Sequence, residues 1–151
     1  MSKSAAEGSR MDAMDLGSLN WWAIVVAIVF NQVLGAAWYS TLAKPWMAEV
    51  GLTDEDMEAM KGTPRQWYPY VLAIVLAFVF TLALALLGQG LDVDSFGEGL
   101  GLGVLAAVGF VVTSNGINYA FEGRSFRLLA INAGYPLISY SVIGVLLALW
   151  R

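Results

Sequence analysis

Cysteine and histidine are both absent from this 151-residue chain, and only 13% of its residues are charged. Those absences exclude disulfides, thiol catalysis, Cys/His metal sites and an imidazole proton shuttle. They also leave the redox compartment unreadable from cysteine usage. Lysine and arginine total only 8 and form no basic run, so nucleic acid is excluded as an expected partner. Soluble domains carry about 25% charged residues. At half that fraction, with 58% hydrophobic residues, the chain belongs to another solvent class.

What is present is apolar length. Stretches at 20–42, 68–87, 98–121 and 127–150 each approach the ~20 residues, at 1.5 Å rise apiece, that a bilayer-spanning helix needs. No charge occurs between Trp21 and Thr41. Aromatic residues collect near the expected helix ends, as Trp21 and Trp22, Trp38 and Tyr39, Trp67, Tyr68 and Tyr70, and Trp150, in the manner of an interfacial belt. The expected fold class is all-α integral membrane, a four-transmembrane-helix bundle over residues 20–151. Residues 1–19 carry Lys3 and Arg10 but no apolar core, so they read as a flexible tail and not as a signal peptide; Met11 and Met14 are alternative starts.

Orientation follows from the bases beside the spans. Lys44, Lys61 and Arg65 lie in the first loop and Arg124 and Arg127 in the third, whereas the second has Asp92 and Asp94 and no base. By the positive-inside rule the first and third loops are cytoplasmic and both termini lie outside, with Lys3, Arg10 and Arg151 pulling the other way. The first loop should contain one short amphipathic helix at about 54–61. Thr53 and Asp56 have capping-box spacing, Met57 and Met60 share a face, and Gly62 and Pro64 form the stop. The acids Asp54, Glu55, Asp56 and Glu58 suit a dipole-matched helix start better than a cation patch, because the glycine turn and alternating oxygens of a Ca²⁺ loop are missing.

Several segments resemble one family. They are Asn20-Trp21-Trp22-Ala23, Leu34-Gly35-Ala36-Ala37-Trp38-Tyr39-Ser40, Lys44-Pro45-Trp46-Met47-Ala48-Glu49 running into Gly51-Leu52-Thr53-Asp54-Glu55-Asp56, and Asn132-Ala133-Gly134-Tyr135. Together they resemble the DUF1761 family of small bacterial membrane proteins. The resemblance implies four helices and a location in the bacterial inner membrane, and it implies no activity.

The expected helices differ in character. The second is apolar all round beyond Tyr70 and should face lipid. The third carries Gly99, Gly103, Ala107, Ser114 and Asn118 on one stripe, the small-residue spacing that lets backbones approach within a bundle or between copies. Neutral polar groups lie inside the spans: Asn31 and Gln32 in the first helix, Asn115 and Asn118 in the third, Asn132, Tyr135 and Ser139 in the fourth. Pro136 cannot donate to the carbonyl of residue 132, which frees an acceptor and kinks the helix. Counted from the third loop, Asn115 and Asn132 fall at similar depth, and Trp38 and Tyr39 end the first helix on the same side; with Asn118 and Tyr135 they form a candidate polar layer beside a cavity. As structure, such a layer cross-links helices; as function, its uncharged oxygens could hold a cation or a neutral solute.

No base stands inside the spans and the acids lie in loops or at helix ends. The expectation is therefore a non-enzyme without cofactor or metal, and a proton-coupled carrier is disfavoured for the same reason. Two classes remain. One is a pathway or binding site for a small neutral solute or cation, built from at least two copies because four helices enclose little volume. The other is a non-catalytic accessory subunit that packs on a larger membrane partner.

Overall fold

The computed structural model describes residues 15–151. The expected tail at 1–19 therefore lies mostly outside the described residues; Leu16–Ser18 form a single 3₁₀ turn. Six helices follow: α1 Trp21–Thr41, α2 Ala43–Val50, α3 Asp54–Met60, α4 Pro64–Gly90, α5 Phe96–Glu122 and α6 Phe126–Leu149. The described residues contain no strand. Helices α1, α4, α5 and α6 are long and apolar enough to cross a membrane. Their alternation brings the loops at α2–α3 and α5–α6 to one end, and the described start of the chain, the α4–α5 turn and Arg151 to the other.

Local chemistry sets the boundaries. The Asn20 side chain accepts from the amides of Trp22 and Ala23, Ser95 from Glu98 and Ser125 from Leu128, so three spans begin on a capped turn. The capping box at α3 is complete: Thr53 Oγ1 accepts from the Asp56 amide at 3.1 Å and Asp56 Oδ2 accepts from the Thr53 amide at 2.9 Å. Pro64 does not stop α3. It occupies the first turn of α4, where a missing N–H costs nothing, and lengthens the second span to 27 residues from the 20 at 68–87 read off hydropathy. The first loop also holds two helices where one was expected, because α2 continues almost directly from α1 through Leu42.

Helix α6 is the hub, packing against α1, α2, α4 and α5, and its most intimate partner is α5. Gly99 and Gly103 face Gly144 and Tyr140 across that crossing. A methyl group at Gly99 would lie 2.6 Å from the Gly144 carbonyl oxygen, and one at Gly103 would overlap the Tyr140 carbonyl outright. The small-residue stripe thus works inside one chain, with Ala107 fully buried at its end.

The stripe does not run on to Ser114 and Asn118. A π turn at Ala107–Val112 widens the helix, shifting the inward face by about one residue. Beyond it the sheltered positions are Asn115, Gly116 and Tyr119, while Ser114, Ile117 and Asn118 are exposed. Thr113 Oγ1 donates to the Gly109 carbonyl at 2.6 Å, serving an acceptor within the widened turn.

In α4, Ala77, Thr81, Leu84 and Ala85 are buried, but every residue from Trp67 to Leu76 is exposed.

Candidate functional site

Helices α1 and α6 meet through reciprocal glycine–aromatic contacts near the loop end. The Trp38 indole lies over Gly134, where an added methyl would come within 2.8 Å of Cζ2, and the Tyr135 ring lies 3.5 Å from the corresponding position on Gly35. Glycine is needed at 134 because the indole occupies the space of a side chain. Trp38 Nε1 donates to the Ile131 carbonyl at 3.0 Å, so the polar edge of a half-buried ring is satisfied.

Around this crossing the polar groups pair with one another. Tyr39 Oη donates to Asn132 Oδ1 at 3.1 Å, and Asn132 Nδ2 donates to Tyr119 Oη at 2.8 Å, which ties α1, α6 and α5 through one amide. Deeper in the bundle, Tyr135 Oη and Ser139 Oγ both donate to Asn31 Oδ1 at 2.6 Å, and Tyr135 Oη also reaches the Asn31 carbonyl at 3.2 Å. Asn31 and Ser139 are buried, roughly 15 Å along α1 and α6 from their far ends at 1.5 Å per residue, so these bonds lie near mid-membrane. The Tyr39 and Tyr135 rings join the two groups at 5.9 Å, and Trp46 of α2 meets Tyr39 edge-on at 6.0 Å. Glu49 of α2 accepts from Ser125 and lies 3.7 Å from Arg127, fastening the first loop to the start of α6.

The candidate layer therefore divides. Trp38, Tyr39, Asn132 and Tyr135 come together. Asn118 is exposed and Asn115 half-buried, and neither side chain makes a hydrogen bond among the described residues. The π turn is the reason: it brings Tyr119, one residue beyond Asn118, opposite Asn132. Pro136 lies half-buried inside α6, and the helix continues through it. The side chain that reaches this stretch of backbone, Trp38, takes the Ile131 carbonyl and not that of residue 132. Asn31, Ser139 and Tyr119 complete the network without having been in the candidate set. For Asn31 and Ser139 the available signal was a polar residue in mid-span; Tyr119 required the π turn.

Next to Trp38 lies an open, apolar hollow of about 340 Å³ lined also by Leu34, Ala37, Thr41 and Leu42. A cleft of about 160 Å³ lies at the opposite end, near the chain termini, lined in part by Ser18, Ile24, Gln89, Leu102, Leu147 and Arg151. An apolar core of Ala27, Leu84, Ala106 and Ile143 packs below the polar network on the cleft side. At the cleft, Gln89 Nε2 donates to Ser18 Oγ at 2.5 Å, and an Arg151 guanidinium nitrogen donates to the carbonyls of Gly88 and Val93. Two buried polar atoms have no partner among the described residues: Gln89 Oε1 and the hydroxyl of Thr81, a fully buried residue.

The family model described as "Protein of unknown function (DUF1761)" matches residues 22–148, nearly the whole described bundle, and the chain belongs to that family. Neither a curated protein nor a solved structure matches it. Of the segments that carried the resemblance, 34–40, 44–49 and 132–135 meet at the α1–α2–α6 junction through Gly35, Trp38, Tyr39, Trp46, Glu49, Asn132, Gly134 and Tyr135, while 20–23 starts α1 at the other end.

Proposed function

We propose that this DUF1761 protein is a non-catalytic accessory subunit that docks on a larger membrane protein through the loop-side half of α4. The observation that carries this reading is the exposure of every residue from Trp67 to Leu76 beside three helices locked by polar bonds and glycine contacts. In lipid an exposed apolar face has either acyl chains or a partner helix against it. Here the buried stripe of α4 stops at Ala77, leaving Val71, Leu72, Ile74 and Val75 free for a partner helix. A second copy is the weaker occupant, because the small residues that would drive self-association, Gly99 and Gly103, already face Gly144 and Tyr140.

The pathway reading loses support from the same geometry. The hydroxyls of Tyr39, Tyr135 and Ser139 and the Asn132 amide are paired within the network, and the Ala27, Leu84, Ala106 and Ile143 core packs between them and the cleft. Placement in a bacterial inner membrane rests on the family resemblance, and the cytoplasmic placement of the α2–α3 and α5–α6 loops on Lys44, Lys61, Arg65, Arg124 and Arg127.

Native purification in mild detergent followed by mass measurement tests the docking. A complex whose mass is not a multiple of the 16.3 kDa chain, lost in Ile74→Lys, is expected. Recovery of the chain alone with lipid would overturn it, and a homodimer would return the face to a second copy. Impermeant thiol labelling of a cysteine placed in the first loop, but not of one in the α4–α5 turn, in intact cells would reverse the orientation.

A further inference from the structure

The cleft at the terminus end lies in the mouth of the bundle, and all four spans contribute to it. Ile24 of α1, Leu84 of α4, Leu102 of α5 and Leu147 of α6 give it an apolar body. Its volume of about 160 Å³ is near the ~150 Å³ of an apolar cavity that accepts benzene.

The polar lining is one-sided. Arg151 uses Nη2 on the carbonyls of Gly88 and Val93, which are neutral and leave its charge in place, and its Nε and Nη1 have no partner among the described residues. Asn20 Oδ1 caps the amides of Trp22 and Ala23, and its Nδ2 likewise has no partner among the described residues. The side-chain acceptors of the same wall are engaged or shut away: Ser18 Oγ accepts from Gln89 Nε2, and Gln89 Oε1 is sealed beneath the surface. The acids of this end, Asp15, Asp92, Asp94 and Glu98, do not line the cleft, and none forms an ion pair with Arg151 among the described residues. Glu98 instead accepts from the Ser95 hydroxyl and the Asp94 amide. A guanidinium with donors to spare, set beside an apolar body, is the complement of an anionic oxygen carried on apolar carbon.

We infer that this cleft binds an amphiphilic anion: an apolar body about the size of one aromatic ring seated among the helix ends, with a carboxylate or phosphate ester on Arg151. A free organic acid and an anionic lipid both carry that chemistry, and the end of the spans is within reach of either. The site lies at the opposite end of the bundle from Trp67 to Leu76, so binding here is independent of what α4 docks against.

The test uses the full chain in phosphatidylcholine nanodiscs, with empty nanodiscs as the partition baseline and ¹⁹F NMR as the readout. The probes are 4-fluorobenzoate, fluorobenzene and 4-fluorobenzylamine. Saturable binding above baseline is expected for the benzoate, about tenfold tighter than for fluorobenzene, with none for the ammonium. Added salt should shrink that preference, Arg151→Gln should remove it while the helical circular dichroism persists, and Arg151→Lys should keep part of it. Ala85→Leu, which fills the cleft, should remove binding of both rings. Phosphatidylglycerol added to the nanodiscs separates the two sources: displacement of fluorobenzene, a neutral probe blind to surface potential, assigns the site to an anionic lipid, and unchanged affinity assigns it to a free acid. No saturable binding, equal affinity for the benzoate and fluorobenzene, preference for the ammonium, or a benzoate preference that survives Arg151→Gln would each overturn the inference. If Ala85→Leu does not fold, the selectivity of the unmodified chain and of Arg151→Gln decides the matter.

Discussion

The two ends of the bundle hold their helices by different physics. Toward the loops, α1, α5 and α6 are joined by directional bonds through Asn31, Tyr39, Tyr119, Asn132, Tyr135 and Ser139. Toward the termini, α5 and α6 meet through backbone-close contact at Gly99, Gly103 and Gly144, with Ala27, Leu84, Ala106 and Ile143 nearby as an apolar core. In lipid, where apolar side chains gain nothing by leaving hydrocarbon, van der Waals fit and interhelical hydrogen bonds are the two available cohesive forces. Interhelical hydrogen bonds dominate the first end and backbone-close fit the second, with Trp38 on Gly134 adding one close fit beside the bonds. Loss of a single bond is modest; added volume where backbones touch is not, because a backbone cannot move aside without moving a helix.

That contrast orders the expected effects of mutation. Gly103→Leu should be the most damaging change, costing upwards of about 3 kcal/mol or abolishing folding, since its side chain would collide with the Tyr140 carbonyl. Thermal unfolding in detergent would show it, and a loss no larger than that of Leu76→Ala on α4 would remove the crossing from the account. Gly134→Ala should follow at about 1–3 kcal/mol, because the Trp38 ring stands 2.8 Å from the new methyl. Its cost should shrink in a Trp38→Leu background.

Thr81→Val should go the other way. The Thr81 hydroxyl is buried without a partner among the described residues, and replacing it by a methyl of similar shape should leave stability unchanged or raise it by up to about 1 kcal/mol. A clear loss would mean that the hydroxyl has a partner at mid-membrane. The smallest effect belongs outside the bundle. The Asp56 carboxyl lies below its usual range because it accepts hydrogen bonds from the Thr53 hydroxyl and amide. A depressed pKa adds stability that is present above the ordinary value of 3.8 and lost as pH falls through the lower, folded value. Amide exchange in Asp54–Met60 should therefore quicken at acid pH while the spans stay protected, and Asp56→Asn should blunt that dependence.

Much of this architecture is legible in residues read one at a time. Apolar runs fix the spans, Thr53 and Asp56 fix the start of α3, and the uniformly apolar second span fixes the exposed face of α4. Gly99 and Gly103 announce a close crossing, though the sequence leaves open whether it lies within one chain or between two. The pairings across space are harder. A straight helix carries the Gly99 stripe to Asn118, and only the π turn at Ala107–Val112, for which Gly109 and Thr113 give little signal, carries it to Tyr119. The glycine at 134 reads as flexibility until Trp38 is seen lying on it. The cleft is invisible because it is assembled from Ser18, Gln89 and Arg151, residues far apart in the chain.

The bonds among Asn31, Tyr39, Tyr119, Asn132, Tyr135 and Ser139 make the loop-end polar network a lock between helices. A double-mutant cycle between Tyr39→Phe and Asn132→Leu, measured by unfolding of the full chain in one detergent, tests that lock. Because Tyr39 Oη donates to Asn132 Oδ1 at 3.1 Å, a favourable coupling of about 0.6 kcal/mol, reaching at most about 1.7, is predicted. Additive losses with no coupling, or a double variant more stable than the unmodified chain, would contradict it.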